Sequence, residues 1–372
     1  MLDAPSPLFT LFAFIAVLGP LVVVHEMGHY LIGRWCGIRA DVFAIGFGRE
    51  ILGWTDKRGT RWKIGWLPFG GYVQFAGDAD AMSSPQEGAA KTPGTFAAAS
   101  VWQRTITIFG GPLSNFLFAI LILSAFAYGY GQPHTPPVAQ QVMEGSAAAS
   151  AGIRPGDRIV AIDGRAIERF DEIPMAVAHR PGELLTLSVV RDGTLHKIML
   201  RPRTVTEEDR FGNKYDRAII GILQGRPVIR PVSLLEAPLV GAKSAWSITR
   251  QMGEVVGQLV MGRRSIEDLG GPLKIAKASG EQASLGWQSY VLFVAMISLN
   301  LGLMNLLPLP VLDGGHLLFN AVEAVMRRPV SIAMQQTAYK FGFLMILALM
   351  VAVTFNDLSS FGLWQRLASL IG

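Results

Sequence analysis

Cysteine is nearly absent from this sequence: the 372-residue chain has one, Cys36. A single cysteine excludes an intrachain disulfide, leaves Cys36 as a packing residue or spare thiol, and says nothing about compartment. Charge is scarce too. Only 16% of the residues are Asp, Glu, Lys or Arg, where a soluble globular chain carries about 25%. The shortfall is uneven, with long uncharged stretches alternating with ordinary soluble-looking sequence. That pattern predicts several membrane spans plus at least one water-facing module. The net charge of +5 comes from basic residues scattered between apolar runs, not gathered on one platform, so nucleic acid is not expected as a partner. The N-terminal tail has no Lys or Arg. No small-x-small cleavage site follows the first apolar run, which is therefore read as a span and not a signal peptide.

The spacing of apolar runs predicts four transmembrane segments. The first occupies 1–33, with Pro20 bending it. The second occupies 101–131 and the fourth 338–357. The third, 284–322, is broken, because Pro308 and Pro310 forbid a straight helix. It ends an uncharged run from Gln282 to Leu312. The short segments 34–100 and 323–337 carry the Lys and Arg residues, including Lys57, Lys91, Arg327 and Arg328. Positive-inside bias places both in the cytoplasm and both termini outside. Residues 132–205 then form an extracytoplasmic module. Val138–Val142 and Asp157–Ile162 read as strands and Ile167–Ala178 as a helix. Leu184–Arg191 and Thr194–Leu200 form a hairpin about Asp192-Gly193. Residues 206–283 read as amphipathic helices lying on the membrane surface, or as a plain connector. Residues 358–372 are a tail.

The chemistry concentrates in His25-Glu26-Met27-Gly28-His29. On a helix His25 and His29 lie one turn apart on one face, so both imidazoles can hold one zinc ion. Glu26 stands beside them and can activate water. Three ionisable side chains at the end of an apolar run are costly, which marks them as functional. A catalytic zinc takes three protein ligands. The residues leave two candidates for the third, Asp313 and His316, three positions apart. The bland reading of Asp313 is a helix cap.

Together with Asn305-Leu306-Leu307-Pro308-Leu309-Pro310-Val311-Leu312-Asp313-Gly314, this motif resembles the site-2 protease family of intramembrane zinc metalloproteases, in its bacterial RseP-type branch. The resemblance implies one Zn2+ per chain held by His25, His29 and Asp313, with Glu26 as general base. It implies that Asn305, Pro308 and Pro310 help to position substrate. Gly110-Gly111-Pro112-Leu113-Ser114-Asn115 resembles the second-span signature, with Asn115 lining the site. Gly46-Phe47-Gly48 and Pro68-Phe69-Gly70-Gly71-Tyr72-Val73 resemble membrane-associated β-loops that hold substrate. Gly152-Ile153-Arg154-Pro155-Gly156-Asp157 resembles a PDZ domain. Tandem PDZ domains occur in the enterobacterial relative, and this chain has room for one.

The fold expected is a polytopic α-helical membrane protein. It has four transmembrane segments, membrane-associated β-loops and an inserted extracytoplasmic PDZ-like α/β domain. The expected location is the bacterial inner membrane, with the active site near its cytoplasmic side. Expected partners are the lipid bilayer and single-span membrane proteins, such as an anti-sigma factor already cut once or a remnant signal peptide. A peptide terminus bound to the PDZ-like module is a further partner. The alternating stretches Asp41–Phe47 and Arg61–Trp66 are expected to offer a strand edge to an unwound substrate. A non-catalytic membrane scaffold and a transporter are the competing classes. Zinc content and peptide hydrolysis separate them from a protease.

Overall fold

The computed structural model describes residues 5–77, 92–177, 180–208, 214–262 and 270–360. Lys91, Ala178 and the tail from 361 onward lie outside the described residues. The chain forms two compact units. One comprises Met1–Ala125 with Leu235–Gly372, and the other Phe126–Leu234.

In the first unit, helix α1 runs Pro7–Trp35. Ser6 caps it by accepting from the Phe9 N–H, Pro7 supplies a pre-set first turn, and Gly37 ends it at φ 81°. Ala13, Val17, Leu21 and His25 are buried at four-residue spacing, with Gly28 next on that face. The first metal-binding histidine thus continues the stripe that packs α1 against the rest of the unit.

Strands β1 (Ala40–Thr55) and β2 (Arg61–Phe75) follow. Both are bent at glycines with positive φ, Gly46 and Gly48 in β1 and Gly70 in β2. Each strand therefore pairs more than once. Residues 42–45 have partners in both 71–74 and 61–64, while 61–65 also pair with 50–55. This corrects the expectation that Asp41–Phe47 and Arg61–Trp66 present open edges, since the middle of each is interior to the sheet. The two outer edges are Gly71–Phe75 and Glu50–Thr55, with which no further strand among the described residues pairs. Phe43 stacks on Trp62 with ring centroids 4.5 Å apart. Tyr30, Ile38, Phe43, Val73 and Phe75 form one buried cluster that fastens the sheet to α1.

Helix α2 runs Val101–Tyr130 with Pro112 inside it. It meets α1 backbone to backbone. A Cβ on Gly28 would collide with the Gly110 carbonyl, and the Ser114 hydroxyl reaches the Val24 carbonyl at 2.7 Å. Close approach through small residues is what helix packing in lipid requires.

The second unit opens with β3 (Gln132–His134), β4 (Gln141–Val142), α3 (Ala147–Ser150), β5 (Arg158–Ile162), β6 (Arg165–Ala166) and α4 (Glu172–Val177). It continues with β7 (Leu185–Arg191), β8 (Thr194–Leu200), β9 (Arg203–Glu208), β10 (Lys214–Ile219), β11 (Ile222–Leu223) and β12 (Val228–Arg230). Strands β6, β5, β7 and β8 make a four-stranded sheet. Its β7–β8 turn has Asp192 and Gly193 at φ 49° and 78°, as a two-residue hairpin with the strand twist demands. Ile159, Leu185, Leu187 and Val189 are fully buried, each contributing about 1.5–3 kcal/mol. The helix expected over Ile167–Ala178 begins only at Glu172. Strands β11 and β12 return to pair with β4 and β3, so the unit continues past residue 205.

The first unit resumes with α5 (Ala237–Val260), α6 (Pro272–Ser284), α7 (Trp287–Asn305), α8 (Asp313–Met326) and α9 (Ile332–Ser360). Buried Asp357 of α9 accepts from the Gly271 and Lys274 N–H groups at 3.2 and 3.1 Å, capping α6 from a neighbouring helix. The run from Gln282 is not one segment, because α6 ends before Gly286 and α7 starts after it. Between α7 and α8 the chain turns repeatedly, with the Leu309 N–H bonded to the Leu307 carbonyl and Leu312 to Leu309. Val311 is held at φ 91°, a strained position for a β-branched residue. Among the described residues, α1, α2, α7 and α9 are long and apolar enough to cross a membrane.

Candidate metal centre

Three side chains from distant stretches of chain meet in the first unit. The Nε2 atoms of His25 and His29, both on α1, are 3.2 Å apart. Asp313, first residue of α8, places Oδ2 at 3.1 Å from His25 Nε2 and Oδ1 at 3.5 Å from His29 Nε2. Four donors around zinc at bond lengths of about 2.0–2.1 Å sit roughly 3.3 Å from one another, which these separations match. Asp313 Oδ2 is buried and accepts no hydrogen bond, despite His25 at 3.1 Å. Two imidazole nitrogens and a carboxylate converging at these separations fit a shared ion. The side chains of His25, His29 and Asp313 are only 10%, 12% and 18% exposed, so an ion there is shielded from bulk water.

Each ligand is positioned by local sequence. His29 Nδ1 lies 3.0 Å from the Thr107 carbonyl on α2. A carbonyl only accepts, so Nδ1 carries the proton and Nε2 has a lone pair for the metal. Pro112 has no N–H for the carbonyl four residues back, which loosens α2 beside Thr107. Gly111 lies flat against both rings, and a Cβ there would stand 2.6 Å from His29 Cε1 and 2.8 Å from His25 Cε1. Gly314 and Gly315 let the first turn of α8 tuck under the 306–310 turns, where a Cβ on Gly314 would meet the Leu306 carbonyl at 2.5 Å.

A cavity of about 380 Å³ opens onto the cluster. Its walls include Glu26, Phe47, Gly70, Gly71, Tyr72 and Val73 on one side and Asn305, Val311 and His316 on the other. The Val73 N–H reaches the Glu26 carboxylate, so the Gly71–Phe75 edge faces the site. His316 lies on the cavity wall, outside the three-ligand cluster, with Nδ1 2.9 Å from the Tyr339 hydroxyl. Of the residues expected to position substrate, Asn305 and Phe47 line the cavity. Gly46 and Gly48 instead shape the bend of β1, against the Leu67 carbonyl and the Trp66 ring. Pro308 and Pro310 belong to the turns before Asp313, and Pro310 packs on Gly342. Asn115 is not on the cavity wall. It is fully buried behind His25, with Nδ2 3.0 Å from His25 Nδ1.

Gly152, Ile153, Gly156 and Asp157 lie in the second unit. Ile153 joins its core, and Gly152 and Gly156 take positive φ. Burial pushes the Asp157 carboxyl up, but hydrogen bonds from Arg191 at 2.7 and 2.8 Å and from the Arg154 N–H outweigh it and hold the carboxyl below its usual range. These residues brace a turn. Sequence reasoning assigned no role of their own to Thr107, Gly111 or Ser298; the signal that could have found Gly111 is a Gly-Gly-Pro run inside an apolar span, which permits close helix approach.

A metal-ligand cluster opening on a cavity, with two of its three ligands on a membrane-length helix, defines a membrane zinc metalloendopeptidase. The chain belongs to peptidase family M50, whose pattern matches residues 13–349. It is 45% identical to a candidate zinc metalloprotease of Agrobacterium fabrum over 93% of this chain and 95% of that protein. It is 33% identical to the metalloprotease MmpA of Caulobacter vibrioides over 98% of each chain. Among solved structures, the PDZ domain of an SdrC-like protein of Listeria innocua aligns at 22% identity, over 26% of this chain and 99% of that one. Its TM-score is 0.20.

Proposed function

We propose that this chain is an intramembrane endopeptidase of the bacterial inner membrane that cuts single-span membrane proteins. Its substrates would be anti-sigma factors already shortened by a first cut, or remnant signal peptides. One observation carries the reading: the metal cluster lies on an apolar, membrane-length helix, and its cavity is walled by an open strand edge. A zinc ion held by His25, His29 and Asp313 supplies Lewis acidity for the scissile carbonyl and for water. Glu26, on the cavity wall, takes the proton from the attacking water and delivers it to the leaving amine. A helical span hides its amides, so the substrate must unwind first. The Gly71–Val73 edge pairs with the unwound stretch by strand addition, and Asn305 on the opposite wall holds it. The Phe126–Leu234 unit, on this reading a PDZ-like module, faces the extracytoplasmic side. There it binds a terminus, filters bulky substrates or acts as a lid.

The test is cleavage of a single-span substrate by purified protein in zinc-containing liposomes, with product ends mapped by mass spectrometry. Cuts within or at the edge of the apolar span are expected. Cutting confined to soluble peptides would refute the proposal. Cysteine labelling in intact cells checks the orientation: a probe at Arg165 should react and one at Lys57 should be protected.

A further inference from the structure

We infer that Asn115 is the positioning residue for His25, turning its amide oxygen toward the ring so that Nε2 is kept bare for the metal. This rests on the reading of His25, His29 and Asp313 as the zinc site. The tautomer of His29 is already fixed, because its Nδ1 can only donate to the Thr107 carbonyl. His25 is held differently. The group 3.0 Å from its Nδ1 is the Asn115 amide. For both Nε2 atoms to share one ion with Asp313, His25 must also be protonated at Nδ1. Nδ1 then needs an acceptor.

Asn115 has one to give. Its side chain is fully buried, and its Oδ1 has no hydrogen-bond partner while Nδ2 is the atom beside the ring. A buried amide oxygen left unpaired is destabilising. A half-turn of the amide exchanges two atoms of nearly equal size and pairs the orphaned oxygen with Nδ1–H, the bond that the metal-binding tautomer of His25 requires, with Nδ2 taking the oxygen's former place. The backbone holds the amide in place, since the Asn115 carbonyl accepts from the buried Ser298 hydroxyl of α7 at 2.8 Å. The ligand on α1 is thus oriented from α2, and α2 is pinned at that residue from α7.

Full-length protein in detergent tests this by chelator competition for zinc and by the absorption spectrum of the cobalt(II) form. Asn115→Leu, which offers no acceptor, is expected to weaken zinc binding by about 10–100-fold and to change the cobalt spectrum. Asn115→Asp offers only acceptors when ionised. It is expected to hold zinc at least as tightly as wild type with a wild-type cobalt spectrum. The spectrum matters because an added charge alone tightens binding without restoring ring orientation. Wild-type zinc affinity in Asn115→Leu would overturn the inference, and so would loss of zinc or an altered cobalt spectrum in folded Asn115→Asp. Should the leucine variant not fold, the near-isosteric aspartate variant decides alone. His25→Ala separates the two readings. If it binds zinc like wild type, the metal site itself is misplaced. If it loses zinc while Asn115→Leu keeps it, only the role of Asn115 falls.

Discussion

Gly111→Ala should empty the metal site although residue 111 ligates nothing. The new methyl carbon would sit 2.6 Å from His29 Cε1 and 2.8 Å from His25 Cε1, where ordinary contact begins at 3.4 Å. The methyl would press closer still on His29 Nε2, so the His29 ring must retreat by more than 0.8 Å and the His25 ring by about 0.6 Å, or α2 must shift away from α1. The helix cannot move cheaply, because Gly28 and Gly110 already touch through their backbones and Ser114 ties the pair together. Overpacking of this kind costs about 1–3 kcal/mol. A metal–nitrogen bond of about 2.0–2.1 Å does not survive such a displacement. The expected result is loss of bound zinc on dialysis that leaves wild type loaded. Cleavage should fall at least about 100-fold, the usual cost of misplacing a reacting group by roughly 1 Å. Gly129→Ala, on the same helix with nothing within 4 Å of the new carbon, is the control. It should keep zinc and gain up to about 1 kcal/mol of helix propensity. A Gly111→Ala protein that stays loaded and active would show that the imidazoles do not lie against residue 111.

Glu26→Gln should fold and retain zinc, but cleave about 10²–10⁴-fold more slowly, a loss of roughly 3–5 kcal/mol of transition-state stabilisation. Timed cleavage beside metal analysis checks it, and wild-type turnover would remove Glu26 from the chemistry. Asp313→Asn should lose both zinc and activity, whereas His316→Ala should keep zinc. Metal content of the two purified variants reverses the assignment if the pattern is opposite. In the second unit, Asp157 and Asp163 are held below the usual carboxylate range, Asp163 chiefly by the Thr186 N–H and then by Arg180. Their contribution to stability is complete above the unfolded-state value of about 3.9 and is lost as pH falls through the lower folded-state values. Hydrogen-exchange protection of this unit should therefore drop in acid below about pH 4, and Arg191→Met should blunt the drop. Equal acid sensitivity in that variant would argue against the Asp157–Arg191 pair as its source.

Much of the site was legible because its chemistry is local in sequence. His25 and His29 sit one helical turn apart, and that spacing alone places both rings on one face. Asp313 was harder, since only folding brings residue 313 beside residue 25, and His316 on the same helix competes until the turn at Val311 is seen. The sheet was misjudged for a different reason. Alternation marks a strand but not its neighbours, and Gly46, Gly48 and Gly70 bend β1 and β2 so that Val42–Ile45 and Arg61–Gly65 are interior and the edge beside the metal cluster is Gly71–Phe75. Asn115 was read as lining the site because its motif resembles one that does, and it stands against His25 but off the cavity wall. Burial behind His25 follows from the face of α2 it occupies, and Pro112 three residues earlier obscures that face. The hairpin at Asp192-Gly193 was readable because two consecutive positive φ values demand those residue types.

The ligands His25 and His29 are made early in synthesis and Asp313 late, with the whole Phe126–Leu234 unit translated between them. A ribosome-bound fragment that has passed α1 and α2 therefore carries the histidines and Glu26 but no complete ligand set. The metal site is complete only once α8 has docked, so the order of synthesis itself delays its assembly.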